Sequence, residues 1–271
     1  MFLLHTTPQI HSILPLEGWT DDGTIKCSGR VDWGGGLLST MKRIFRVLCT
    51  LAALVSGASV VAQPAQDWAN FQCYQNQNAT VKALPQDQRK VVFMGNSITQ
   101  NWVSRHGQFF KDNGYIGRGI GGQTPYQMVL RFYDDVVDLH PKAVVINGGT
   151  NDIALNNHPY VEDRTFHNIT IMAQIAKENG IKVILTSVTP CDHYVWRPEV
   201  TDVVGKIKSL NARIQAYAKK NKFEYVDYFS AMADANGVMK EGISDEGCHP
   251  TVAGYEIMEP LVQAAIKKLV K

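Results

Sequence analysis

The chain has 271 residues, 45% hydrophobic and 19% charged, with a formal net charge of +2. That composition supplies one sizeable globular core. The charges are scattered, which excludes the clustered basic face of a nucleic-acid binder, and there is no long single-sign run.

The N-terminal region divides in two. Residues 1–40 carry little periodic pattern and include VDWGGGLLST. Residues 41–62, MKRIFRVLCTLAALVSGASVVA, have the layout of a secretory signal peptide. Lys42 and Arg43 follow Met41, an apolar stretch comes next, and Val60 and Ala62 fill the small positions before a cleavage site. On this reading translation starts at Met41, residues 1–40 are an over-called upstream segment, and Gln63 begins a periplasmic or secreted chain with no stable membrane insertion. A membrane anchor is the rival reading, but the stretch is marginal for a span of about 20 residues and contains Arg46. Leu48 stands before Cys49 where lipid attachment needs a small residue. Cleavage would leave Cys73, Cys191 and Cys248, an odd set whose pairing stays open.

Residues 63–88 form a polar N-terminal extension, in part helical, before a domain spanning 89–271. Short β-branched apolar runs at 90–95, 143–148 and 182–188 read as buried strands, with weaker strands near 115–120 and 223–228. Helices are expected over 124–139, over TFHNITIMAQIAKENG with Gly180 as its stop, over 201–221, and from about Pro250 to Leu269. Strands alternating with helices predict an α/β fold with a parallel sheet covered on both faces. In such sheets ligands bind beyond the carboxyl ends of the strands, so the residues just after each strand are the candidates.

Ser97 follows the first strand in VVFMGNSITQNW. It is either the cap of the next helix or a nucleophile held near helix N–H groups. GRGIGGQT (117–124) follows the second strand, NGGTND (147–152) the third, and SDEGCHP (244–250) precedes the last helix. Together these offer a hydroxyl, close-approaching backbone N–H groups, a side-chain amide, and a carboxylate beside an imidazole, which is the equipment of ester hydrolysis. A Ser hydroxyl needs a base, and imidazole is the usual one because it titrates near neutrality. A carboxylate orients that imidazole, and N–H donors hold the oxyanion. Each piece alone has a plainer reading as a turn or cap. Gly117, Gly119 and Gly122 also match G-x-G-x-x-G, but after the second strand, with Asp134 and Asp135 inside a predicted helix, so a dinucleotide site is weakly supported. No HExxH, CxxC or G-x-S-x-G arrangement is present, so neither a metal nor any other cofactor is expected.

FMGNSIT, GRGIGGQT, GGTND and EGCHP, in this order, resemble the four blocks of the SGNH hydrolases, the GDSL-like esterase, lipase and acylhydrolase family. The resemblance covers about residues 89–271. It implies a flavodoxin-like three-layer α/β/α sandwich on a five-stranded parallel sheet. It further implies Ser97 as nucleophile, His249 as general base, and an oxyanion hole of the Ser97 N–H, the Gly122 N–H and the Asn151 side chain. Two departures stand out. Asn96 replaces the Asp usual before the nucleophile, and Glu246 occupies the place of the Asp three residues before the His, with Asp245 as the alternative acid. The expected activity is hydrolysis of short-acyl, foremost acetyl, esters, with a small-molecule or glycan ester as partner. Tyr194, Trp196 and Arg197, on the loop after the fourth strand, are candidate sugar-stacking residues or a packed loop. Alternatives are lysophospholipase or acyl-thioesterase action, a non-catalytic carbohydrate-binding protein of the same fold, and a nucleotide-binding oxidoreductase.

Overall fold

The computed structural model describes residues 66–270; the upstream segment, signal peptide and cleavage site near Ala62 that the sequence analysis expects lie outside the described residues. In chain order the elements are α1 (Gln72–Lys82), β1 (Val91–Gly95), α2 (Ser97–Arg105), α3 (Gly107–Asn113), β2 (Tyr115–Gly119), α4 (Pro125–Leu130), α5 (Phe132–Asp135), β3 (Ala143–Ile146), α6 (Thr150–Ile153), α7 (Glu162–Glu178), β4 (Lys182–Thr186), α8 (Val203–Asn221), β5 (Glu224–Val226), α9 (Tyr228–Met232) and α10 (Val252–Leu269).

The five strands form one sheet in the order β2-β1-β3-β4-β5, every neighbouring pair parallel. This is the flavodoxin-like order, with its direction of winding reversed between β1 and β3. Alternation along the strands builds two cores. Val92, Met94, Val144, Ile146, Val183 and Leu185 face a layer that includes Met128, Phe132, Met172, Ile207 and Leu210. Val91, Phe93, Ala143, Val145, Ile184 and Val226 face the other, with Trp102, Phe109, Tyr228, Tyr255 and Met258. Both faces are covered, which is why the strands read as continuous apolar runs rather than alternating ones. Burying a side chain such as Phe93 stabilises the fold by about 1.5–3 kcal/mol.

Two elements differ from expectation. The helix expected over 124–139 is broken into α4, α5 and a 3-10 turn at Val137–Leu139. The break falls at Arg131, whose buried guanidinium reaches under the sheet to the carbonyl oxygens of Gly95 and Arg118. The last helix begins at Val252 rather than Pro250, because Thr251 caps it through Gly254 N–H while Pro250 bridges to Ser244. The polar extension also docks on the domain. In α1, Asn78 donates to Asp135 at 2.6 Å and accepts from Arg118 at 2.8 Å.

Candidate active site

β1 ends at a residue that has to be glycine. A Cβ on Gly95 would lie 2.1 Å from the Thr99 hydroxyl oxygen. Asn96 then caps α2, its side-chain oxygen accepting the Ile98 N–H at 3.0 Å. Capping falls to Asn96, and Ser97 is the first residue of the helix, its Oγ 2.9 Å from His249 Nε2. The replacement of Asp by Asn ahead of the Ser leaves the cap intact.

His249 comes from the loop between α9 and α10, pinched at its ends by the bridge between Ser244 and Pro250. Gly247, at φ +85°, turns the chain inside the loop and lets residue 246 face residue 249. Glu246 Oε1 accepts the His249 backbone N–H at 3.0 Å and also meets His249 Nδ1. The carboxylate therefore favours the tautomer with its proton on Nδ1, which leaves the Nε2 lone pair facing Ser97. The alternative acid, Asp245, is not brought to the imidazole. It is drawn outward by Arg105, whose Nη1 sits 2.8 Å from Asp245 Oδ2.

The residues expected as oxyanion donors stand on the segments that follow β1, β2 and β3. A Cβ on Gly121 would lie 3.9 Å from Ser97 Cβ, so the loop after β2 passes close to Ser97. Gln100 takes the Gly121 N–H at 2.8 Å. Gly122 follows at φ +74°. Asn151 sits in α6 just beyond β3, beside β1 in the sheet, and its Nδ2 donates to Gln123 O at 2.9 Å. One amide proton is thereby fixed and the second is left over.

Sequence reasoning missed the supports of this site. Arg131 donates to Gln123 Oε1 at 2.6 Å and pairs with Asp135, tying the loop after β2 to the ends of β1 and β2. Its position in a helical pattern gave no sign of burial. Asp152 is fully buried, its Oδ1 accepting from Thr165 at 2.9 Å, and burial pushes its carboxyl up to about 7. His158 Nε2 lies 3.6 Å from the same oxygen.

The aromatic loop divides. Tyr194 is fully buried, its hydroxyl without a partner among the described residues, so it cannot stack on a sugar. Trp196 is half-buried with its ring centroid 5.6 Å from that of His249. Arg197 is partly exposed and 3.8 Å from Glu199. Cys73, Cys191 and Cys248 carry free thiols. A hydrogen bond with Cys191 and burial hold the Cys248 thiol well above the usual range, which disqualifies it as a competing nucleophile. Among the described residues, Glu246, Cys248 and His249 present metal-ligating atoms within 4.8 Å of one another, but both imidazole nitrogens already face hydrogen-bond partners, Ser97 and Glu246.

Residues 93–257 match the model of the GDSL-like Lipase/Acylhydrolase family. A proposed acylhydrolase from Bacteroides fragilis NCTC 9343 is 51% identical, with a TM-score of 0.74 over 76% of this chain and 100% of that one. A GDSL-like lipase from Bacteroides thetaiotaomicron VPI-5482 is 53% identical, with a TM-score of 0.71 over 74% of this chain and 98% of its own. The uncharacterized lipoprotein YqeF of Bacillus subtilis (strain 168) is 38% identical over 78 residues, 28% of this chain. The match spans about a third of that relative's length, 32%.

Proposed function

The chain belongs to the GDSL-like lipase/acylhydrolase family and is a hydrolase of ester bonds, and from that premise we propose an exported serine esterase that removes short acyl groups, foremost acetyl, from carbohydrates. The observation that carries the mechanism is the 2.9 Å approach of Ser97 Oγ to His249 Nε2, with Glu246 on the far side of the ring.

In this mechanism Ser97 Oγ attacks the ester carbonyl as His249 Nε2 takes its proton. The Glu246 carboxylate stabilises the imidazolium that forms. The tetrahedral oxyanion lies among the Ser97 N–H, the Gly122 N–H and the free amide proton of Asn151. Collapse passes the proton from His249 to the leaving alcohol oxygen and leaves an acyl-Ser97 ester. Water, deprotonated by the same nitrogen, attacks that ester, and breakdown returns the proton to Ser97 and releases the carboxylic acid. No step of this scheme requires a metal or cofactor.

The half-buried Trp196 beside His249, with Arg197 next to it, favours a sugar as the alcohol part, since an aromatic face with a polar neighbour suits a pyranose. Leu155 and Val195 are exposed and flank Asn156 and Trp196, which are hydrogen-bonded to one another; this apolar rim favours the second reading, a lysophospholipid or acyl-thioester. Hydrolysis of p-nitrophenyl acetate, abolished in Ser97→Ala, tests the nucleophile. Acetate release from acetylated xylan, measured beside an acyl-length series and lysophosphatidylcholine, tests the substrate. Preference for the long acyl chains would overturn the glycan reading. Export through residues 41–62 is tested by N-terminal sequencing, which should find Gln63 first; retention of residues upstream of Met41 would refute it.

A further inference from the structure

Three amide and indole groups outside the reacting pair form one polarised chain. Trp196 Nε1 donates to Asn156 Oδ1 at 3.2 Å. Asn156 Nδ2 donates to Asn151 Oδ1 at 2.9 Å, and Asn151 Nδ2 donates to Gln123 O at 2.9 Å. The Asn156 backbone N–H also bonds Asn151 O at 2.8 Å, which fixes the spacing of the two asparagines. The ends of this chain have no choice of role. An indole N–H can only donate and a backbone carbonyl can only accept. Asn156 must therefore turn its oxygen to Trp196 and its NH₂ to Asn151. Asn151 must in turn present its oxygen to Asn156 and its NH₂ to Gln123, and its second amide proton is the one the oxyanion reading uses. Without the indole, Asn156 is free to flip and to set its oxygen against Asn151 Oδ1; Gln123 O still requires the Asn151 NH₂ as its donor, so the repulsion would displace the Asn151 amide rather than invert it.

We propose that Trp196 and Asn156 are positioning residues that hold the Asn151 amide in place through its Oδ1, coupling the loop after β4 to the oxyanion site. The proposal rests on the reading of Asn151 as an oxyanion donor. Trp196 thus has two faces of use: its ring borders His249 while its N–H governs the amide across the site.

The test is steady-state hydrolysis of p-nitrophenyl acetate by Trp196→Phe, Asn156→Asp and Asn151→Ala, singly and with Trp196→Phe combined with Asn151→Ala. Asn151→Ala is expected to lower kcat by about 10²–10³-fold. Trp196→Phe keeps the ring and loses the N–H; kcat is expected to fall by about five- to ten-fold, with KM within about two-fold, as for losing one ordinary hydrogen bond. Asn156→Asp, nearly isosteric but unable to donate to Asn151 when ionised, is expected to fall at least as far. In the Asn151→Ala background the Trp196→Phe effect is expected to vanish. A Trp196→Phe loss that persists there would mean the indole acts through His249 or through folding, and overturns the proposal. So would an unchanged kcat in Trp196→Phe while Asn151→Ala is impaired. Full activity in Asn151→Ala would instead overturn the oxyanion reading itself, and the inference with it.

Discussion

Glu246→Gln separates two things that a carboxylate does for an imidazole: it fixes the tautomer and it supplies charge. In the structure a single oxygen, Oε1, serves both the His249 backbone N–H at 3.0 Å and Nδ1. A glutamine carbonyl can occupy the same place, so the tautomer should survive and the charge alone is lost. A hydrogen bond to a charged group contributes about 1.5–3 kcal/mol and a neutral one about 0.5–1.5 kcal/mol, a difference of about 1–2 kcal/mol. Both side chains are only about a fifth exposed, 21% and 23%, so solvent screens little of that difference. The expected fall in kcat is therefore about 5–30-fold, with KM nearly unchanged. Glu246→Ala removes the acceptor as well and is expected to lose more than about 100-fold, since the ring is then free to take the wrong tautomer. Asp245→Ala breaks only the exposed pair with Arg105, worth about 0–1 kcal/mol, and should leave turnover within about three-fold. The assay is p-nitrophenyl acetate hydrolysis at a pH where the wild-type rate is flat. A loss in Asp245→Ala as large as in Glu246→Ala would refute the assignment. A loss near 10⁴-fold in Glu246→Gln would refute the argument that glutamine preserves the tautomer.

Three further outcomes follow from the supports of the site. Asn96→Ala removes the cap of α2 and should lower stability by about 0.5–2 kcal/mol in urea denaturation; an unchanged midpoint would show that the Ile98 N–H bond contributes nothing. Asp152 is neutral in the folded chain and charged in the unfolded one between about pH 4 and its raised value of about 7. The folded state thus holds the extra proton, and the contribution of up to about 4 kcal/mol, full below pH 4, is lost as pH rises through 7. Asp152→Asn keeps the acceptor for Thr165 and should melt higher than wild type at pH 7.5 but not at pH 4.5; parallel melting curves across that range would contradict this. Gly119→Ala would set a Cβ 2.3 Å from Gln100 N and 2.6 Å from Asn96 O, so little folded protein is expected by circular dichroism, and a well-folded variant would show that α2 can shift away from β2.

The parts of this molecule that could be read from sequence are those written in consecutive residues. The apolar runs of β1, β3 and β4 end in Gly, Asn and Ser or Thr, and that change of character marks the rim where Ser97 and Asn151 stand. What escaped depends on distant partners. Whether Glu246 or Asp245 faces the imidazole is decided by the turn at Gly247 and by Arg105, 140 residues earlier. Tyr194 and Trp196 look alike in a loop, yet one is buried and the other borders the site. Arg131 reads as the polar face of a helix but ends that helix by turning inward to carbonyls of two strands. The bond from Trp196 to Asn156 joins side chains 40 positions apart and leaves no local pattern.

The hydroxyl of Ser97 and the ring of His249 lie 152 positions apart, and α10, which follows His249, sends the Tyr255 hydroxyl back to Ile98 O at 2.8 Å. In order of synthesis the proposed nucleophile therefore comes first and its proposed base 152 positions later. On the proposed mechanism a product that stops before His249 holds a serine with no base. On that mechanism the docking of α10 on α2, through Tyr255 and Ile98, is what brings the base to the hydroxyl.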